Sequence, residues 1–351
     1  MDIKPAIKRI VRFTLTAGGI FAVLSLAVFG MSYYALTKKP DIPDRGVLYL
    51  NLDRPVVEQT SLPPLSGLSK YVIGQNPELS ANEIARVIRT AGADPRIKRI
   101  VLDMDGMSTS GPGPIETLIW AVRDAKSYGT EVLAYGSNYS TLTYLLASQA
   151  DRVLMNDMGT VDWNGLSYDA LFYGDALDRL GVKVFTAQAG KYKSAIEPYI
   201  RSGFSPAARE SITDTLGSLW SGFVRYAAAG RQMPSERLEE IATEGLLTTQ
   251  DPANTAIELG LIDQLVTPPV LSDLATQGET GQVYTTVDLA TWSDFIGKPQ
   301  CVTEAPSEDG GKTTGGRISI ITLSGQIRMG RNAPGIIGAH STVGLLRAAG
   351  Y

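Results

Sequence analysis

This 351-residue chain carries one histidine, His340, and one cysteine, Cys301. Ser-His-Asp and Cys-His machinery is therefore excluded unless His340 acts for every proton transfer. No internal disulfide and no cysteine-based metal site can form. Hydrolytic chemistry on this chain needs another base, and a desolvated lysine can supply one. Lys193 stands in the run Ala189-Gly190-Lys191-Tyr192-Lys193-Ser194-Ala195-Ile196-Glu197-Pro198. A lysine takes a proton only when neutral. Its ordinary pKa of about 10.4 must then fall by roughly 2–3 units, at a cost on the order of 3–4 kcal/mol supplied by apolar burial. Tyr192 and Ala195-Ile196 flank Lys193, and Val182–Ala187 reads as an apolar strand ending just before it. Strand ends of an α/β sheet are frequent sites of chemistry. The plainer reading is a solvated lysine paired with Glu197 at i, i+4. Pro198 weighs against that pairing, because the residue before a proline is disfavoured in a helix. The residues alone leave both readings open.

The elements that must position Lys193 follow from periodicity. Val47–Leu52, Ile100–Leu102, Val132–Tyr135, Arg152–Met155 and Val182–Ala187 read as short buried strands. Between them lie helices over Ala81–Gly92, from Pro114 to Gly129, over Leu142–Ala147 and over Ala170–Leu180. Pro206–Ala229 reads as one long helix with Ile212, Leu216, Leu219, Trp220 and Phe223 on its apolar face. Ser235 and Asp251-Pro252 open two more. Strands alternating with amphipathic helices predict an α/β domain with a mainly parallel sheet. With 44% apolar residues a sizeable core can be buried, and a net charge of -4 gives no sign of nucleic-acid binding.

The N-terminus reads as a membrane anchor. Residues 13–36 hold no charged side chain and would span roughly 30 Å of hydrocarbon. Lys4, Lys8, Arg9 and Arg12 precede them and only Lys38 and Lys39 follow closely, so residues 1–12 should face the cytoplasm. Residues 37–46 read as a linker and 47–296 as the main domain. Residues 297–316, rich in Gly, Thr and Pro, form a second linker. Arg317–Leu323 then echoes Arg45–Leu52, and Leu346–Gly350 echoes Ile88–Gly92. This predicts an internal duplication in which 317–351 begins a second domain that the chain does not complete.

The run Tyr192-Lys193-Ser194-Ala195-Ile196-Glu197-Pro198 resembles the lysine motif of the signal peptide peptidase A (protease IV) family. Phe204-Ser205-Pro206-Ala207-Ala208-Arg209-Glu210, Gly230-Arg231-Gln232 and Gly260-Leu261-Ile262-Asp263 resemble further segments of it, so the likeness covers nearly all of the chain after the anchor. The resemblance implies a ClpP/crotonase-like spiral of β-β-α units preceded by one transmembrane helix. It implies a Ser/Lys peptidase with Lys193 as general base and no cofactor or metal. The partners it implies are signal peptides, the bacterial inner membrane and other copies of the chain in a homotetramer, with the main domain outside the cytoplasm. In long members the nucleophilic serine lies in a second domain within a Gly-rich run. Aligning Tyr144 with that run puts Thr141 at the serine position and Leu142-Thr143 at its glycines. Thr141 and Ser140 are thus degenerate counterparts, more in keeping with a helix N-cap than a nucleophile. The loop Met104–Gly113 takes the place of an oxyanion-binding loop, but Pro112 lacks a donor, so a structural role is expected. On this reading the chain supplies the base without the nucleophile and is inactive alone. Rival readings are a non-catalytic membrane scaffold that binds peptides and an acyl-CoA enzyme on the same fold, the latter disfavoured by the anchor.

Overall fold

The computed structural model describes residues 40–60, 78–278 and 282–297, with short pieces between 323 and 347. The expected anchor, the second linker beyond Gly297 and the echo over Arg317–Thr322 lie outside the described residues, as do His340 and Cys301. The strands are β1 Gly46–Asn51, β2 Pro55–Val57, β3 Leu79–Ser80, β4 Ile97–Asp103, β5 Ser108–Thr109, β6 Glu131–Tyr139, β7 Arg152–Val161, β8 Gln264–Leu265 and β9 Thr285–Asp288. The helices are α1 Ala81–Ala93, α2 Pro112–Ser127, α3 Thr141–Ala147, α4 Gly174–Arg179, α5 Glu197–Ile200, α6 Pro206–Arg231, α7 Ser235–Thr243, α8 Pro252–Glu258, α9 Pro268–Thr276 and α10 Leu289–Ile296. Further along, β10 Gln326–Arg328 pairs in parallel with β11 Ile336–Gly338.

The main sheet has the order β8-β7-β6-β4-β1-β9, and every pairing in it is parallel. The expected α/β class with a parallel sheet is what the chain adopts. Strand alternation sorts its side chains onto two faces. Leu48, Leu50, Ile100, Leu102, Val132, Ala134, Val153 and Met155 join the larger core with α1, α2, α3 and α8. Val47, Val101, Leu133, Tyr135 and Leu154 form a smaller core that Leu271 and Ala275 of α9 cover. Both faces are packed, which is why these strands read as continuous apolar runs.

Arg99 of β4 anchors α9. It is 7% exposed, and its guanidinium donates to the carbonyls of Leu274 at 2.5 Å, Ala275 at 3.0 Å and Gln277 at 3.0 Å. Its Nε also reaches Glu131 Oε2 at 2.7 Å. The last carbonyls of a helix lack internal partners, so one planar cation satisfies several at once.

Two expectations are corrected here. Val182–Ala187 is not a strand: it has no ladder partner among the described residues, and Phe185 is 91% exposed. Its alternating apolar residues satisfy a strand pattern, but no neighbouring strand supplies the ladder that a strand requires. The apolar face of α6 is also only half buried. Phe223, Val224, Ala227 and Ala228 lie in the core, whereas Leu219 is 40% exposed and Ile212 and Leu216 are partly so. From Ser167 to Leu219 the chain makes a long excursion away from the core.

Candidate active site

The expected base, Lys193, lies on that excursion and is exposed. Its backbone N–H reaches Gly190 O at 3.5 Å, and Gln188 Nε2 donates to its carbonyl. Among the described residues its ammonium has no hydrogen bond or ion pair. The expected alternative partner, Glu197, is engaged elsewhere. Glu197 Oε2 accepts from the N–H of Ser205 at 2.9 Å, and Oε1 accepts from Ser205 Oγ at 2.6 Å. Ser205 Oγ in turn accepts from Ala208 N–H at 3.1 Å and caps the N-terminus of α6. The Ser205 hydroxyl and amide, together with Arg201, hold the Glu197 carboxyl below its ordinary range. Glu197 opens α5 although Pro198 follows. The first turn of a helix needs no donor from that proline, and the anchored carboxylate overrides the local bias.

Backbone contacts add to this anchorage. Tyr173 N–H donates to Pro198 O at 2.6 Å. A Cβ on Gly174 would come within 2.6 Å of Arg201 O, so only glycine allows the two segments to meet. Phe204 packs on Phe172 with centroids 5.0 Å apart, and Tyr199 stacks on Tyr173 at 6.2 Å.

Ser140 and Thr141 serve the fold. Ser140 is the N-cap of α3, with Oγ accepting from Thr143 N–H at 3.3 Å, as the N-cap reading expects. Thr141 Oγ1 donates to Asp162 O at 2.9 Å. Among the described residues no hydrogen bond joins either hydroxyl to Lys193. In the loop Met104–Gly113 the amides of Met104, Asp105, Met107, Ser110 and Gly111 already donate within the chain, which leaves few to hold an oxyanion.

Two segments quoted for the resemblance, Gly230-Arg231-Gln232 and Gly260–Asp263, converge with Tyr144 on one joint. Arg231 Nη2 donates to Asp263 Oδ1 at 2.7 Å and to Gly260 O at 2.9 Å. Asp263 Oδ2 also accepts from Val153 N–H at 2.6 Å. Burial pushes the Asp263 carboxyl up, but Arg231 and the Val153 amide outweigh it and leave it below the ordinary range. Tyr144, fully buried, donates from its hydroxyl to Leu261 O at 3.0 Å. Gly230 admits α6 to this joint, since a Cβ there would sit 2.2 Å from Ser148 O. The joint welds α3, α6, β7 and the entry to β8 together.

Sequence reading missed the Glu197–Ser205 pairing, and also the bond from Tyr49 Oη to Asp103 Oδ2 at 2.5 Å. Burial first, and then that bond, push the Tyr49 phenol up. A carboxylate in the motif followed eight residues later by a Ser-Pro helix start was the available signal for the first. The second joins β1 to β4 and leaves no sequence trace.

Residues 124–279, which include Lys193 and the welded joint, match Peptidase family S49. A protein called Protease 4 from Salmonella typhi is 30% identical over 318 residues, covering 87% of this chain and 49% of that protein. Protease 4 of Haemophilus influenzae is 27% identical over 346 residues, covering 94% and 53%. The chain thus spans about half the length of the curated relatives it matches. A solved structure of a 1510-N membrane-bound stomatin-specific protease mutant aligns with a TM-score of 0.38 and 12% identity, covering 70% of this chain and 98% of that one. On the profile match and the Protease 4 relatives, the chain belongs to peptidase family S49, the signal peptide peptidase A family.

Proposed function

We propose that this chain is the lysine-bearing part of a membrane-anchored serine endopeptidase, built on the ClpP/crotonase spiral, that degrades cleaved signal peptides. The observation that carries the reading is Lys193. Its ammonium is exposed and without a partner among the described residues, in a motif of the family, inside the matched segment. In the reaction, neutral Lys193 takes the proton from a serine hydroxyl as that oxygen attacks a peptide carbonyl, and the proton then goes to the leaving amine. An exposed lysine is a poor base, so the serine-bearing part must also cover Lys193 and strip it of water. Ser140 and Thr141 are committed to the fold, so the nucleophile comes from outside the described residues. A homotetramer at the outer face of the bacterial inner membrane suits this division of labour. The spent amides of the Met104–Gly113 loop favour a second reading, a scaffold that binds peptides without cutting them.

The purified chain is expected to leave peptides uncut and to resist labelling by a fluorophosphonate, the general reagent for activated serines. Labelling at Ser140, or peptide cleavage lost on mutating Ser140 or Thr141, would sink this assignment. If instead a serine-bearing S49 segment added in trans yields no cleavage although the two parts bind, the scaffold reading takes its place.

On this proposal residues 13–36 are the anchor, and their basic flank puts the domain outside the cytoplasm by the positive-inside rule. Protease added to spheroplasts is expected to digest the domain. Complete protection while the membrane is intact would reverse the topology.

A further inference from the structure

The excursion from Ser167 to Leu219 buries only three residues: Gly174, Glu197 and Ala208. All three belong to one contact. Gly174 meets the Arg201 backbone, Glu197 holds Ser205, and Ala208 donates to Ser205 Oγ. Glu197 is also the only buried carboxylate among the described residues. A carboxylate is costly to bury unless its oxygens are satisfied, and here both are.

We infer that Glu197 and Ser205 form a latch that positions Lys193, Glu197 being a positioning residue whose charge Ser205 withholds from the lysine. The inference rests on the reading of Lys193 as the base. Lys193 lies four residues before Glu197, and Glu197 N–H reaches back to Ser194 O at 2.9 Å. Fixing Glu197 on α6 therefore fixes one end of the short segment that carries Lys193. The second effect is electrostatic. A glutamate four residues from a lysine ordinarily pairs with it and favours the charged form, the opposite of what a base requires. Ser205 occupies both oxygens. The groups facing the carboxylate are Arg201 on its own segment and, from α6, the Ser205 hydroxyl and amide. Lys191, the other nearby ammonium of the motif, is drawn instead to Glu210 of α6 at 3.1 Å. Glu197 and Glu210 thus each have a partner other than Lys193.

The test reads amine reactivity and needs no peptidase activity. The full chain in detergent is treated with a trace of acetic anhydride at pH 8. Acetylation of Lys193 is measured by mass spectrometry relative to the exposed Lys183. In Ser205→Ala the backbone N–H still holds Oε2 but Oε1 is freed and turns to Lys193, and the Lys193/Lys183 ratio is expected to fall by up to about twofold, the size of an i, i+4 ion pair. Ser205→Thr restores the hydroxyl and the ratio. Glu197→Gln lacks the charge and shows no fall, and neither does the double variant Glu197→Gln/Ser205→Ala. An unchanged ratio in Ser205→Ala, or a fall that persists in the double variant, overturns the latch. Should Ser205→Ala fail to fold, Ser205→Gly, which keeps the N-cap amide but lacks the hydroxyl, gives the same two outcomes. Failure of Lys193 as the base would show in cleavage assays and leave these ratios intact.

Discussion

Lys193→Ala is expected to lower kcat/KM for peptide cleavage by about 10²–10⁴-fold in an enzyme completed with its serine-bearing part, the range that a positioned general base contributes. Stability is expected to move by less than about 0.5 kcal/mol, because the side chain is exposed and has no partner among the described residues. Lys193→Arg is expected to fail equally. Guanidinium keeps its proton and cannot accept one from serine, although it preserves charge and length. Steady-state cleavage of a fluorogenic peptide, with a urea melt on the same samples, separates the two effects. Cleavage retained by either variant removes Lys193 from the mechanism.

The largest expected loss of stability is at Arg99. Arg99→Ala is expected to cost about 3–5 kcal/mol, the scale for removing one partner from a buried charged network. The carbonyls of Leu274, Ala275 and Gln277 would lose their common donor, and Glu131 its ion pair. Because α9 closes the smaller core over Val101 and Leu133, its loosening would expose one face of the sheet. Urea denaturation followed by tryptophan fluorescence reports the change, and a loss under about 1 kcal/mol would show that water replaces the guanidinium without penalty. Arg99→Lys should recover little, since one ammonium cannot span three carbonyls and a carboxylate.

Much of the central architecture was legible because it is periodic. Ile84, Val87, Ile88 and Ala91 announce α1, and all four are buried. The strands β4, β6 and β7 announce themselves as apolar runs since both faces of the sheet are covered. Ser140 is legible as a cap because a hydroxyl before an apolar helix has little else to do. Other parts have no local signature. Strand β9, Thr-Thr-Val-Asp, is too short and polar to show a period, yet it takes an edge of the main sheet. Val182–Ala187 misled in the opposite sense, since a pattern records what a segment could pair with and does not supply the neighbour. The lysine motif could be found in the sequence, but its carboxylate pointed to Lys193 by spacing and to Ser205 in space. That choice depends on the path of the chain between Ile200 and Ser205, which no spacing rule encodes.

The pairing of β1 with β9 also governs how the protein is made. Gly46 lies beside Thr285, so the first strand among the described residues is flanked on one side by the last strand of the main sheet. Contacts of such long sequence separation form late, because the loop entropy is spent before they repay it. While α6 and α9 are still being synthesised, β1 can pair with β4 but presents its other hydrogen-bonding edge to whatever is near. An exposed edge of this kind invites strand exchange and aggregation. A nascent chain stalled before Thr285 should therefore need a holding chaperone, while one extended past Ile296 should close its own sheet. Arrest-peptide force measurements at these two lengths would time the closure.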